Sequence, residues 1–280
     1  MTVAVVADPL AAFAPGLFRG RTALVTGGGR GIGRAIALGF ARFGANVVIA
    51  GRNVENLSRT AAEIEAAGVA GLAVPTNIRE TGEVDALLAK SLERFGGVDF
   101  LINNAGGQFP AKPGDISDRG WRAVVDLNLN GTWNMCSRFG RHMLERGSGA
   151  VVNIVHIYSF ERGAAAFAHS GAARAGVVSL TRSLASYWAR RGVTINALAP
   201  GTVSTQGVRE EEFARATQKD YEALAVRDIP AGRLAEPEEI AAVTLFLCSP
   251  GARYVNGAAI VVDGALSLGN WTSMFDPDAM

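Results

Sequence analysis

The chain has 280 residues, 49% of them hydrophobic, with 27 basic against 26 acidic side chains and a formal net charge of +1. That length suits one large α/β domain, and the near-neutral balance argues against a nucleic-acid partner or a polybasic membrane patch. The two cysteines, Cys136 and Cys248, stand in no Cys/His cluster, so a disulfide framework and a zinc site are both disfavoured and a reducing cytoplasm is the expected setting.

Residues 1–19 lack a basic leader and carry Asp8 and two prolines, which predicts an extended N-terminal arm and no signal peptide. Thr22–Thr26 reads as the first strand. Ile32, Ile36, Phe40 and Phe43 follow at helical spacing. Asn46–Ala50 is a second strand, and Leu57, Ala61 and Ile64 line a second helix. Leu72–Pro75 is a short third strand, Val84–Phe95 a helix, and Val98–Asn103 a fourth strand. Trp121–Glu145 predicts one long helix, Ala150–Ile157 a fifth strand, and Phe167–Arg190 another long helix. Thr194–Leu198, the helix Glu238–Cys248 and the strand Ala258–Val262 complete the series.

Seven strands separated by helices predict an α/β fold: a single Rossmann-type domain over residues 1–280, its doubly wound parallel sheet covered on both faces. The stretch 201–233, with weak strand signals and charges at Arg209, Glu210, Glu211 and Glu212, is expected to form a helical substrate lid; a solvated surface helix is the plainer alternative. No apolar run approaches the roughly 20 residues of a membrane span. The last six residues, 275–280, are no peroxisomal address of the Ser-Lys-Leu type.

Between the first strand and its helix lies Thr26-Gly27-Gly28-Gly29-Arg30-Gly31-Ile32-Gly33. A helix N-terminus carries partial positive charge and unpaired N–H groups, which suits a pyrophosphate, and glycines let the backbone come close to it. A glycine-rich turn alone is a weak signal, but here strand and helix flank it in the confirming order. An NAD-binding protein wants an acid at the end of the second strand for the ribose 2′-hydroxyl. This chain has Ala50-Gly51-Arg52, and Arg52 with Arg30 can pair with a 2′-phosphate instead. NADPH/NADP+ is therefore the expected cofactor.

Together with Asn103-Asn104-Ala105-Gly106 and Pro200-Gly201, the loop resembles the short-chain dehydrogenase/reductases over about residues 17–266. The resemblance implies the strand order 3-2-1-4-5-6-7 and a homotetramer. It implies that Gly27, Gly29, Arg30, Gly31, Ile32, Gly33 and Arg52 hold the cofactor, with Asn103, Asn104, Ala105 and Gly106 beside the adenosine and Asn77 and Ile78 against the adenine. Pro200, Gly201, Thr202 and Thr205 would line the nicotinamide.

The catalytic region departs from the family pattern of Ser and Tyr-x-x-x-Lys. Arg174 falls at the lysine position, Ser170 at the tyrosine position and His156 near the serine. The segment His169–Val177, with Asn103–Phe109, Gly120-Trp121, Asn128–Thr132 and Ala14–Leu17, is very similar to the peroxisomal trans-2-enoyl-CoA reductases, and 2,4-dienoyl-CoA reductases resemble it at neighbouring positions. This implies an acyl-CoA substrate. It also implies Tyr158 as donor to the enolate oxygen or Cα, Arg174 as a cation on the nicotinamide ribose, Ser170 in contact with the thioester or the tyrosine, and either Asn128 or Asn130 holding a water or the thioester oxygen. His156 and His169 rank below Tyr158, since a histidine so placed more often satisfies backbone groups.

Reduction of an enoyl thioester delivers hydride to Cβ and leaves charge on the thioester oxygen, so it needs donors and orientation but no base on a hydroxyl. Loss of the tyrosine–lysine pair is compatible with that chemistry. Two other readings stay open: a carbonyl reductase or alcohol dehydrogenase with Tyr158 as an unusual acid, and a non-catalytic NADP(H) sensor.

Overall fold

The computed structural model describes residues 8–205 and 226–269. Its frame is the strands β1 (Thr22–Thr26), β2 (Asn46–Gly51), β3 (Gly71–Pro75), β4 (Phe100–Asn103), β5 (Gly149–Ile154), β6 (Val193–Pro200) and β7 (Ala259–Val262). They form one parallel sheet in the order β3-β2-β1-β4-β5-β6-β7. Helices α1 (Gly31–Arg42), α2 (Val54–Ala66), α3 (Thr81–Phe95), α4 (Asp118–Val125), α5 (Gly131–Arg146), α6 (Ala168–Trp188) and α7 (Pro237–Cys248) cover both faces. β1 pairs with β2 on one side and β4 on the other. The winding reverses there, which opens a crevice at the C-terminal strand ends.

The five inner strands β2, β1, β4, β5 and β6 are buried on both faces, so they read as near-continuous apolar runs without alternation, while the edge strands β3 and β7 are half-buried. One face packs against α1 and α7: a Cβ at Gly39 would stand 3.3 Å from Leu245 Cδ1, so the missing side chain lets the two helices close up. The other face buries Met135, Phe139 and Met143 of α5 and Trp188 of α6. Phe18, Phe40 and Phe100 form an aromatic triad with centroids 5.0 to 5.4 Å apart. Each such ring contributes about 1.5–3 kcal/mol through its burial.

Three expectations need correction. The arm is not extended over its described part. It turns repeatedly, with Ala11 N–H donating to Asp8 O and Leu17 N–H to Ala14 O, and it buries Leu10 and Phe18. Burying those two side chains requires the chain to fold back onto the sheet. The helix expected over Trp121–Glu145 is interrupted: α4 ends at Val125, and a π-turn at Asp126–Asn130 precedes α5. One wide turn preserves the helical period on either side, so the apolar spacing hides it. The fifth strand also stops at Ile154, and Ile157–Ser159 forms a short 3₁₀ turn. Most of the expected lid, residues 206–225, lies outside the described residues. Val203, near its start, bridges to Ala235, just beyond its end.

Candidate active site

Thr26 closes β1 and organises the first half of the cleft. Its hydroxyl donates to Ile102 O and accepts from the N–H groups of Asn104 and Ala105. Asn104 in turn donates its amide to Thr26 O at 2.9 Å. The loops after β1 and β4 are thus tied to each other before any ligand binds. Gly27 and Gly31 adopt φ of +66° and +52°, which L side chains rarely tolerate. A Cβ at Gly33 would strike the Gly27 carbonyl and the Asn104 amide.

α1 begins beneath this loop with no acid in its first turn and no side-chain cap from Arg30. Its first N–H groups therefore face the cleft, ready for an anion. The cleft holds about 650 Å³ and is lined by Gly27, Gly29, Arg30, Gly31, Ile32, Gly33, Arg52, Asn77, Ile78, Asn104, Ala105, Gly106 and Thr205. All of these carry an expected cofactor role. Arg52 forms no ion pair among the described residues, so its guanidinium is available.

Asn53, Asn56, Leu57, Thr76 and Leu127 also line the cleft and were not anticipated. Thr76 had a signal, since it follows the C-terminal end of β3, where such sheets bind ligands. Asn53 had one too: it is the N-cap of α2, accepting from Asn56 N–H at 2.8 Å. Asn103, expected beside the adenosine, is turned the other way. It donates to Asn153 Oδ1 at 2.8 Å and to Cys136 Sγ inside the protein, because successive strand residues face opposite sides. Pro200, Gly201 and Thr202 close β6 but do not line this cleft. Gly201 N–H donates to Val262 O, and Thr202 O accepts from Ala235 N–H.

The second half is built from side chains. Gly106 lies between Arg174 and Asn128, and a Cβ there would collide with both. Asn128 is fully buried; its amide donates to Gly107 O at 2.8 Å and its Oδ1 accepts from Gly107 N–H at 3.1 Å. Asn130 lies on the outside, donating to Asp126 Oδ1 at 2.8 Å. Residues two apart in a helical turn face opposite ways, so only Asn128 points inward, and the expectation for Asn130 is corrected.

Arg174 donates to the Ile154 carbonyl, and burial pushes its pKa down to about 10, so it remains a cation near neutrality. Ser170 is fully buried, 3.0 Å from His156 Nε2, and Ser159 Oγ lies 3.2 Å from His156 Nδ1. Burial, then the neighbouring Arg174 charge, pushes the His156 pKa down to about 3. His156 therefore engages serine hydroxyls on both ring nitrogens as a neutral ring, a role the backbone-satisfying expectation missed. Tyr158 is half-buried, its ring 5.4 Å from that of His156 and stacked on Phe167 at 6.2 Å. His169 is buried against Phe109, with ring centroids 4.5 Å apart. No cluster of metal-ligating side chains occurs among the described residues.

The profile described as enoyl-(acyl carrier protein) reductase matches residues 27–267. This chain belongs to the short-chain dehydrogenase/reductase family. Family members among its relatives have divided activities. A probable 2,4-dienoyl-CoA reductase of Bacillus subtilis is 35% identical, over 91% of this chain and 98% of that protein. Gluconate 5-dehydrogenase of Gluconobacter oxydans is 37% identical, over 91% of this chain and 98% of that protein. Among solved structures, the actinorhodin polyketide ketoreductase with NADPH superposes with a TM-score of 0.84 at 33% identity, covering 91% of this chain and 99% of that one. The short-chain dehydrogenase/reductase chain described here is accordingly an oxidoreductase that uses a nicotinamide cofactor. No described helix is long and apolar enough to cross a membrane.

Proposed function

We propose that this enzyme is an NADPH-dependent reductase of the C=C bond of trans-2-enoyl-CoA thioesters. The observation that carries the reading is the pair Ser170 and Arg174. One hydroxyl is buried against His156, and the cation is bonded to the Ile154 carbonyl. Neither supplies the tyrosine–lysine relay that protonates a ketone oxygen. Arginine keeps its proton near neutrality, whereas a lysine could exchange one.

The residues present fit a dinucleotide phosphate: a glycine cradle at the N-terminus of α1, no acid after β2, and Arg52 unpaired among the described residues. Arg52 and Arg30 would hold the 2′-phosphate, and the loop the pyrophosphate. When bound, the nicotinamide supplies hydride. The protein's own task is then to orient Cβ, to offer donors where charge develops on the thioester oxygen, and to protonate Cα. Tyr158 is half-buried with its ring beside that of His156, and we assign its hydroxyl as donor. Arg174 adds positive charge in a partly buried setting.

By family resemblance the assembly is a homotetramer. The similarity to gluconate 5-dehydrogenase favours one other reading, reduction of a carbonyl with Tyr158 as acid. Loss of NADPH absorbance separates the two. Enoyl-CoA substrates from crotonyl-CoA upward should be turned over and simple ketones should not. A protein that binds NADPH and turns over only ketones would refute the proposal.

A further inference from the structure

α6 meets the segment Ile154–Ser159 along one face. Arg174 donates to the Ile154 carbonyl. One turn earlier, Ser170 Oγ lies 3.0 Å from His156 Nε2, and the same ring reaches Ser159 Oγ at 3.2 Å through Nδ1. Gly171 has no side chain to interfere: a Cβ there would stand 3.1 Å from the Tyr158 carbonyl oxygen. Residues 170, 171 and 174 share one side of a helix, and they meet residues 156, 158 and 154 of the turn. Ser159 and Ser170 are buried, while the Tyr158 ring leans towards His156 and remains partly exposed.

A neutral imidazole offers one donor and one acceptor. Two serine hydroxyls therefore satisfy it in opposite senses, and the buried ring has no need to charge. Leaving either nitrogen unpaired in that setting would carry the usual cost of a buried polar group, so the arrangement favours a single ring orientation.

We propose that His156 is the positioning residue of the donor side of the site: gripped between Ser159 and Ser170, its ring fixes the turn that carries Tyr158 and so sets where the Tyr158 hydroxyl stands. This rests on the assignment of Tyr158 as donor. Ser170 and Arg174, at the positions of the family's tyrosine and lysine, then hold the turn against α6 instead of moving protons. His156 acts through Tyr158 and exchanges no proton itself.

His156→Phe keeps a ring of similar size and removes both nitrogens, whereas His156→Gln keeps a donor and an acceptor. His156→Phe should lower kcat roughly 10- to 100-fold, with KM for NADPH within about twofold, and His156→Gln should recover part of the loss. In a Tyr158→Phe background the same change should cost less than about twofold, because the group it acts through is already gone. Full additivity in the two backgrounds, or an unchanged kcat in His156→Phe, would overturn the proposal. A second arm needs no substrate. The chain has 3 histidines, so ¹⁵N-histidine spectra resolve each ring. His156 should show one protonated and one bare nitrogen, both shifting in Ser170→Ala. Two nitrogens averaged to one intermediate shift would overturn the proposal whatever the substrate. A locked ring in a protein that ignores enoyl thioesters would overturn the proposed reaction and leave the positioning role standing.

Discussion

The two halves of the cleft are built differently. Around the glycine loop the surface is backbone: Gly27, Gly31 and Gly33 leave room, and Thr26 and Asn104 bind the two flanking loops together. Around α6 the surface is made of side chains that hold one another: Asn128 on Gly107, Ser170 on His156, Arg174 on Ile154. A backbone cradle tolerates almost no added atoms but demands little of particular functional groups. The side-chain half is just as closely packed, since a Cβ at Gly106 would meet Arg174 and Asn128, but it depends as well on the chemistry of particular side chains. The first kind of construction serves a cofactor shared by many reactions. The second is where one chain departs from its relatives.

Substitutions can break or sharpen that contrast. Tyr158→Phe should have the largest effect, lowering kcat on enoyl-CoA roughly 10²- to 10⁴-fold while NADPH binding, followed by fluorescence titration, stays intact. A comparable loss of cofactor affinity would mean that the tyrosine belongs to the cradle. Gly33→Ala should do the reverse. Its new methyl meets the Gly27 carbonyl and the Asn104 amide, an overpacking of about 3 kcal/mol that weakens NADPH binding roughly 100-fold. Arg52→Ala should raise KM for NADPH roughly 10- to 100-fold with little change for NADH, as expected for one charge-assisted contact to a 2′-phosphate. Equal losses with both cofactors would remove Arg52 from that role.

Acid stability gives a smaller signal from the α6 half. The His156 pKa is depressed in the folded chain, from 6.5 to about 3. The unfolded chain therefore takes up the proton first. Stability from the neutral ring is complete above pH 6.5 and is lost as pH falls towards 3. Thermal melts between pH 7 and pH 4 should show a shallower decline for His156→Gln than for the parent; parallel declines would contradict a buried neutral ring. Smallest of all is Asn130→Ala. Among the described residues its exposed amide bonds only to Asp126, so kcat should not change measurably and stability should stay within about 0.5 kcal/mol.

The same contrast explains what could be read before the structure was known. Thr22–Thr26, the glycine loop and Arg52 stand where expected, because strand burial, helix dipole and glycine backbone freedom are local consequences of residue type. The strand order follows from the family resemblance. The π-turn at Asp126–Asn130 was hidden, since one wide turn shifts the phase of a helical pattern without ending it. Residue type alone does not say that Asn128 faces inward and Asn130 outward, as the backbone places them. The partner of Ser170 could not be read ahead: His156 is 14 residues away, and only the meeting of α6 with the turn after β5 brings them together. Asn103 was misplaced for a simpler reason, as strand alternation sends Asn103 inward and leaves Asn104 at the cleft.

The central claim is that hydride reaches a carbon–carbon double bond. The direct measurement uses NADPH deuterated at C4, in both epimers, with crotonyl-CoA in ordinary water, followed by NMR and mass spectrometry of the product. The account predicts butyryl-CoA with one deuterium at C3 and one solvent-derived proton at C2, from one epimer only. Deuterium on a carbinol carbon, or turnover confined to ketones, would contradict it.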